Sequence, residues 1–243
     1  MSQHPPIGEV EGKAEAVEKM FDTIAPQYDL LNRVLSFGID QYWRTRAIRL
    51  LDDEQPTRVL DVATGTADLA IKAEQMLHPR EVVGIDLSAE MLAYGRTKID
   101  RQGLSPRISL VQGDAQNLPF GDHSFDAAMV AFGVRNFEDL NAGLRGIRRV
   151  LRPGGRLVVL EFSRPRTFPI KQLYAWYSRH VLPRIGGTLS PDAGAYEYLP
   201  NSVAEFPDGT DFLDRMNDSG FAELLWEPLT FGIASLYRGT VPQ

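Results

Sequence analysis

The sequence predicts an α/β fold: a mostly parallel sheet with helices on both faces, a helical N-terminal extension and an antiparallel strand at the C-terminal end. Three observations predict it. Between Arg58 and Phe162, short apolar and β-branched runs alternate with helical patterns, as βαβ units require. Two more strand-like runs near the C-terminus lie too close together for a parallel crossover, which takes a dozen or more residues, so they must pair antiparallel. No strand pattern precedes residue 57. The chain therefore divides into a helical extension or lid over 1–57 and a sheet-bearing domain over 58–243.

The first dozen residues are polar, carry Pro and Gly, and are expected to fray. Val17, Met20, Phe21 and Ile24 recur at i, i+3, i+4, i+7 and predict a helix over 13–24, which Pro26 stops. Trp43, Ala47, Ile48 and Leu51 share one face of a second helix over 40–51. Arg58–Ala63 reads as a short buried strand, followed by a helix from Thr66 to His78. Glu81–Asp86 is the second strand, and Ser88 caps a helix that runs to Arg101. Arg107–Val111 and Phe125–Ala131 are the third and fourth strands. A helix from Glu138 to Leu151 ends at Arg152-Pro-Gly-Gly, and Arg156–Phe162 is the fifth strand. An aromatic, basic insertion runs from Phe168 to Ile185, within a span of about 163–200. A helix over 209–219, a strand over Phe221–Glu227 and, after Pro228, a last strand over Leu229–Tyr237 follow.

Composition removes several classes. Of 243 residues, 43% are hydrophobic and 24% charged, as in ordinary globular proteins. Lys plus Arg total 26 against 32 Asp plus Glu, a formal charge of −6, which argues against a nucleic-acid partner. The absence of cysteine excludes disulfides, thiolate metal sites and thiol nucleophiles. The histidines (His4, His78, His123, His180) lie far apart without metal-ligand spacing, so no metal is expected. No apolar run approaches the roughly 18 residues of a membrane helix, and no signal-peptide core is visible. A cytoplasmic location is the expectation.

In an open parallel sheet, ligands lie at the carboxyl ends of the strands, where strand order reverses. The first strand–helix turn here is Asp61-Val-Ala-Thr-Gly-Thr-Ala-Asp68. It holds one glycine and lacks the GxGxxG of a dinucleotide turn, and residues 59–71 contain no Lys or Arg. Asp86 ends the second strand, 25 positions after Asp61, where a carboxylate can accept hydrogen bonds from both hydroxyls of a ribose. It can equally cap the helix that follows. Gln112-Gly-Asp114-Ala-Gln-Asn-Leu-Pro-Phe follows the third strand, where it can hold the edge of an adenine or simply form an Asx-type turn. A pyrophosphate wants a positive field. This acidic crevice suits a cationic adenosyl ligand, S-adenosylmethionine, better than NAD.

Together these segments resemble the class I, Rossmann-like S-adenosylmethionine-dependent methyltransferases. Val59-Leu-Asp-Val-Ala-Thr-Gly-Thr-Ala-Asp is similar to the class's first motif, Gly113-Asp-Ala-Gln-Asn-Leu-Pro-Phe with Ser124-Phe-Asp to its adenine segment, and Leu151-Arg-Pro-Gly-Gly-Arg-Leu to the turn before its fifth strand. The resemblance implies a seven-stranded sheet with the last strand antiparallel. A narrower resemblance covers nearly the whole chain. Phe21-Asp-Thr-Ile-Ala-Pro-Gln-Tyr-Asp-Leu-Leu-Asn, Ser36-Phe-Gly-Ile-Asp, Trp43-Arg, Phe132-Gly-Val-Arg-Asn136, His180-Val-Leu-Pro-Arg-Ile-Gly-Gly and Tyr196-Glu-Tyr-Leu-Pro-Asn-Ser-Val are similar to signatures of the quinone C-methyltransferases of menaquinone and ubiquinone biosynthesis. That implies S-adenosylmethionine as methyl donor, with contacts at Thr66, Asp86, Asp114 and Ala115. Ala67 stands where the family usually has glycine; its methyl should fit if φ is negative, while narrowing the approach to the methionine moiety. Ala131 stands where some members have serine.

The implied reaction methylates a ring carbon of a prenylated quinol, with demethylmenaquinol favoured and the benzoquinol precursor of ubiquinone as the alternative. A nicotinamide-dependent oxidoreductase and a non-enzymatic quinone- or adenosyl-binding module are the rivals. Arg135, Asn136 and Tyr28 are the candidate catalytic residues. Arg135 cannot be a literal base, but it can stabilise a phenolate; it can also merely pair with Glu138 or Asp139. Tyr28 and Asp29 lie between helices that could fold over the crevice, or serve only as a cap and a half-buried ring. Glu161 can face the crevice or cap a loop, and His180 can titrate or simply pack. No single residue is singled out as base.

From Phe162 to Pro191 there is no acidic residue, but there are Arg164, Arg166, Lys171, Arg179 and Arg184. Ile170, Leu173, Tyr174, Tyr177 and Val181 follow one helical face within it. Because a polyprenyl tail stays in the bilayer, this basic amphipathic stretch is expected to make transient contact with the membrane surface.

Overall fold

A computed structural model describes residues 12–180 and 194–243. A seven-stranded sheet runs in the order β3-β2-β1-β4-β5-β7-β6. The strands are β1 Arg58–Val62, β2 Glu81–Asp86, β3 Ile108–Gln112, β4 Phe125–Ala131, β5 Leu151–Phe162, β6 Ala222–Leu229 and β7 Ala234–Thr240. β1 pairs parallel with β2 and β4, β2 with β3, and β4 with β5; β7 lies antiparallel between β5 and β6. The chain fills one half of the sheet with β1, β2 and β3, then returns to the other side of β1 with β4. The crevice between β1 and β4 is the point of reversal.

Three N-terminal helices precede the sheet: α1 Lys13–Ile24, α2 Tyr28–Leu35 and α3 Asp40–Arg49. Then come α4 Asp68–Leu77, α5 Ala89–Arg101, α6 Leu140–Val150, α7 Ile170–His180, α8 Gly194–Glu205 and α9 Thr210–Asp218. Alternate residues of the central strands bury opposite faces, as the pleat requires. Leu60, Val83 and Val159 pack with Leu144, Ile147, Phe212 and Met216 of α6 and α9. Val59, Val82 and Val158 pack with Ile48 of α3, Leu69 of α4 and Ile99 of α5. Ser88 caps α5 as expected, its hydroxyl accepting the Met91 amide at 3.0 Å.

Several boundaries differ from expectation. Pro26 does not leave a loop behind it: it sits in a 3-10 turn, Ala25–Gln27, where its fixed φ is tolerated, and α2 starts directly afterwards. β5 begins at Leu151 rather than Arg156, because Leu151 pairs with Phe125 and Arg152–Gly155 bulge out before pairing resumes at Arg156↔Ala127. β6 runs through Pro228 to Leu229, since an edge strand can lose one amide donor, and the final strand starts at Ala234 after a turn over Thr230–Gly232. α8 was not foreseen. The expected fraying of the first residues, and the positions Val181, Leu182, Pro183, Arg184 and Ile185, lie outside the described residues.

Candidate functional site

A cavity of about 720 Å³, the solvent at its open mouth included, opens at the carboxyl ends of β1, β2, β3 and β4, roofed by α1 and by Tyr28 at the start of α2. Its floor is the turn after β1. Gly65 takes φ +55 there, a backbone that favours glycine, and the Tyr28 ring packs over it, 4.0 Å from where a Cβ would stand. Ala63 (φ 53), Ala67 (φ 65) and Phe132 (φ 60) also hold left-handed backbone in the two loops that form the crevice. Each costs about 1–2 kcal/mol, strain that clusters at ligand sites. Ala67 therefore corrects the expectation of a negative φ. Its methyl is fully buried and points to α5, where Gly95 makes room for it, so it does not narrow the cavity.

Asp86 lines the cavity. One carboxylate oxygen accepts the Gly65 amide at 2.8 Å and the other accepts the Ser88 amide at 3.0 Å. It thus braces both loops, and each oxygen keeps a further lone pair for a ligand hydroxyl. Burial pushes its pKa up, against the backbone hydrogen bonds that pull it down. Asp114 and Ala115 line the same cavity, with Asp114 accepting the Gln116 amide at 2.9 Å in an Asx-type turn. The Asx-type turn is thus formed, and it leaves the segment on the cavity wall. Thr66 is buried, and its hydroxyl turns away to Asp29 at 2.6 Å and Lys98 at 2.9 Å.

Lys98 also bonds Asp29 at 2.8 Å and Asp68, while Ser88 donates to Asp22. These contacts tie α1 and α2 to the rim, so the N-terminal helices do lie over the crevice. The cation that holds Asp29 lies on α5, and sequence spacing carried no signal for it. Four carboxylates (Glu18, Asp86, Asp114, Glu138) line the cavity, with no lysine or arginine among its lining residues. That donor set fits a cationic, phosphate-free adenosyl group and opposes a pyrophosphate.

Beneath the turn, Asp61 is buried and takes a 2.6 Å hydrogen bond from Thr64. Burial pushes its pKa up from 3.8 to about 7, against that hydrogen bond. The folded chain then keeps a proton that the unfolded chain releases. Stability from this group is full below about pH 4 and is lost as pH rises through about 7. Asp61→Asn, whose amide oxygen can still accept the Thr64 hydroxyl, should raise the unfolding free energy of the cofactor-free chain by about 2–4 kcal/mol at pH 8 and leave it unchanged near pH 4. Urea unfolding at both pH values checks this; an equal gain at both would assign the effect to packing.

The turn after β4 carries the other candidates. Arg135 is deeply buried, and its partner is neither Glu138 nor Asp139 but Glu161 of β5, at 2.8 Å, fully buried. Arg135 also donates to the Phe132 carbonyl and, at 3.3 Å, to Ser202 of α8. It lines neither of the cavities described here; it braces the turn that does. Asn136 lines the cavity and receives the Tyr198 hydroxyl at 2.9 Å. Burial pushes the Tyr28 pKa up, so its phenol stays protonated at neutral pH and is a donor rather than a base. His180 lies at the end of α7, near Trp176, away from these groups.

A second, apolar cavity of about 1410 Å³, the solvent at its open mouth included, adjoins the first, and Phe132 lines both. Trp43, Phe132 and Phe162 form its base, with Phe132 and Phe162 4.5 Å apart. The Trp43 indole is fixed by a 2.7 Å hydrogen bond to Thr230. Ile170, Leu173, Tyr174 and Tyr177 of α7 form a wall, so the expected single face exists and is turned toward a cavity.

The model of the ubiE/COQ5 methyltransferase family matches residues 9–241. A demethylmenaquinone methyltransferase of Bacteroides fragilis is 47% identical over 228 residues, covering 94% of this chain and 93% of that protein. A ubiquinone/menaquinone biosynthesis C-methyltransferase of Geotalea daltonii is 46% identical, covering 93% and 97%. A solved S-adenosylmethionine-dependent methyltransferase of Thermotoga maritima shares the fold with a TM-score of 0.63 at 20% identity, covering 92% and 98%. With this match over nearly its whole length, the chain belongs to the ubiE/COQ5 methyltransferase family.

Proposed function

We propose that this chain methylates a ring carbon of a prenylated naphthoquinol, demethylmenaquinol, with S-adenosylmethionine in the first cavity and the quinol entering from the second. The methyltransferase class and its place in quinone biosynthesis follow from the family. The observation that carries the finer reading is the pair of cavities meeting at Phe132, one acidic and one apolar. S-adenosylmethionine, when bound, supplies an electrophilic methyl group. Asp86 would hold its ribose, the segment at Asp114 and Ala115 its adenine, and the Gly65–Thr66 turn would flank its methionine end.

The chain's task is then to place a ring carbon in line with that methyl and to favour charge on the neighbouring oxygen. Positioning supplies much of the acceleration in such a transfer. Phe132 offers the ring a flat apolar wall. Asn136 and the protonated Tyr28 line the donor cavity as hydrogen-bond donors for an oxygen gaining negative charge. The N-terminal helices serve as a lid that excludes water. Labelled methyl transfer to naphthoquinols and benzoquinols offered side by side tests the assignment. Ring-carbon methylation with preference for the naphthoquinol is expected, and preference for the benzoquinol would reverse the substrate choice.

The mouth of the apolar cavity also supports contact with a bilayer surface. Phe37 (79% exposed), Phe231 (73%), Leu173 and Trp176 line that cavity and still face solvent, with Phe168 exposed nearby. Exposed apolar residues around an apolar cavity mark an interaction site. Arg164 and Arg166 are held by Asp208 at 2.9 and 3.2 Å, so the five basic residues of this stretch overstate the charge free to meet lipid. No helix among the described residues is long and apolar enough to cross a membrane. Binding to anionic vesicles should therefore weaken with salt without vanishing. Phe37→Ser with Trp176→Ser should cut turnover of long-tailed quinols about tenfold and spare a short-tailed analogue. Equal loss on both substrates would contradict surface docking.

A further inference from the structure

Asn136 reaches the donor cavity from the turn after β4, and what holds its amide is a residue of α8. The Tyr198 hydroxyl donates to Asn136 Oδ1 at 2.9 Å. The same helix places Ser202 against Arg135 Nε at 3.3 Å, so α8 clamps both residues of the Arg135–Asn136 pair. An amide oxygen can only accept, so the hydroxyl points its proton at Asn136. With Oδ1 occupied, the amide must turn its NδH2 elsewhere, and among the described residues no acceptor is assigned to it.

We infer that Tyr198 is a positioning residue for methyl transfer: it fixes the Asn136 amide with its NδH2 toward the donor cavity, where it donates to the substrate oxygen beside the carbon that is methylated. This rests on the quinol-methylation reading above. An amide free to rotate would present its carbonyl for part of the time and repel the developing phenolate. A fixed donor needs no reorganisation when the charge appears. Tyr198 itself stays out of the reaction: it lines neither cavity, and its hydroxyl proton is given to Asn136.

The test is a double-mutant cycle on a short-tailed naphthoquinol, with cofactor affinity measured in parallel. Tyr198→Phe removes one oxygen from a partly buried ring and should leave the melting curve unchanged. Its kcat should fall about tenfold or more, with KM and cofactor Kd within about twofold of wild type. In an Asn136→Ala background the same change should alter kcat by less than about twofold, because the amide it orients is gone. An unchanged kcat in Tyr198→Phe overturns the inference. So does a loss of equal size in the Asn136→Ala background, which would show that the tyrosine acts by another route. Wild-type protein that methylates no quinol overturns the functional reading, and this inference with it; an active wild type with a normal Tyr198→Phe variant overturns this inference alone.

Discussion

Arg135→Lys is expected to lower kcat by about 100-fold or more while cofactor affinity stays within a few-fold of wild type, because the change strikes the turn after β4 and leaves the ends of β1, β2 and β3 alone. Arg135 is nearly fully buried, and its guanidinium spans Glu161, the Phe132 carbonyl and Ser202. Glu161 in turn accepts the Arg135 amide at 3.3 Å and the Phe162 amide at 2.9 Å. One planar fork thus ties β5, α8 and the turn that presents Phe132 and Asn136. A lysine keeps the charge, but its three donors sit on one atom and cannot span the acceptors that Nε and Nη1 reach separately. A shift of about 1 Å in the Phe132 wall or the Asn136 amide is enough for the predicted loss. Glu161→Gln tests the same bracket from the other side. It removes the charge from the anion side of a buried 2.8 Å ion pair and should destabilise the fold by about 3–5 kcal/mol. Steady-state kinetics with titration of the cofactor checks the lysine variant. A kcat near wild type with weakened cofactor binding would place Arg135 in the donor site instead.

Asp86→Ala should weaken S-adenosylmethionine binding by about 2–3 kcal/mol, roughly 30- to 150-fold, the scale of hydrogen bonds lost from a charged acceptor. The carboxylate also braces the Gly65 and Ser88 amides, so part of the loss comes through the turn that it holds. Asp86→Asn separates the two contributions. It keeps an acceptor for one of those amides, sets an NδH2 against the other and gives up the charge, so any affinity it regains over alanine measures the bracing that one oxygen supplies. Calorimetry on folded variants gives both numbers, and an unchanged affinity in Asp86→Ala would remove the residue from the ribose role.

The strands were legible because apolar β-branched runs such as Val59-Leu60 and Val82-Val83 must be buried on both faces in a parallel sheet. The antiparallel C-terminal pair was legible from spacing alone. The parts that were not legible depend on context. Pro228 reads as a break unless its strand is known to lie at the edge. Ala67 reads as an ordinary φ until the turn forces it to +65. Asp86 and Asp114 stood out because strand ends converge on the crevice. The partner of Arg135 is 26 residues away on a neighbouring strand, and that of Asn136 is 62 residues away on a helix containing Pro200. Local spacing carries no trace of either. The apolar cavity was invisible for the same reason: α7, the turn over Thr230–Gly232 and the segment from Asn32 to Trp43 line it from three distant stretches.

The central claim is that donor and acceptor occupy two separate cavities that meet at Phe132. A crystal structure of the ternary complex with S-adenosylhomocysteine and a short-tailed naphthoquinol tests it most directly. The account predicts the adenosyl group against Asp86 and Asp114, the quinol ring against Phe132 with an oxygen near Asn136, and the tail running between α7 and Phe37. A quinol bound outside the apolar cavity, or an adenosyl group within it, would contradict the account.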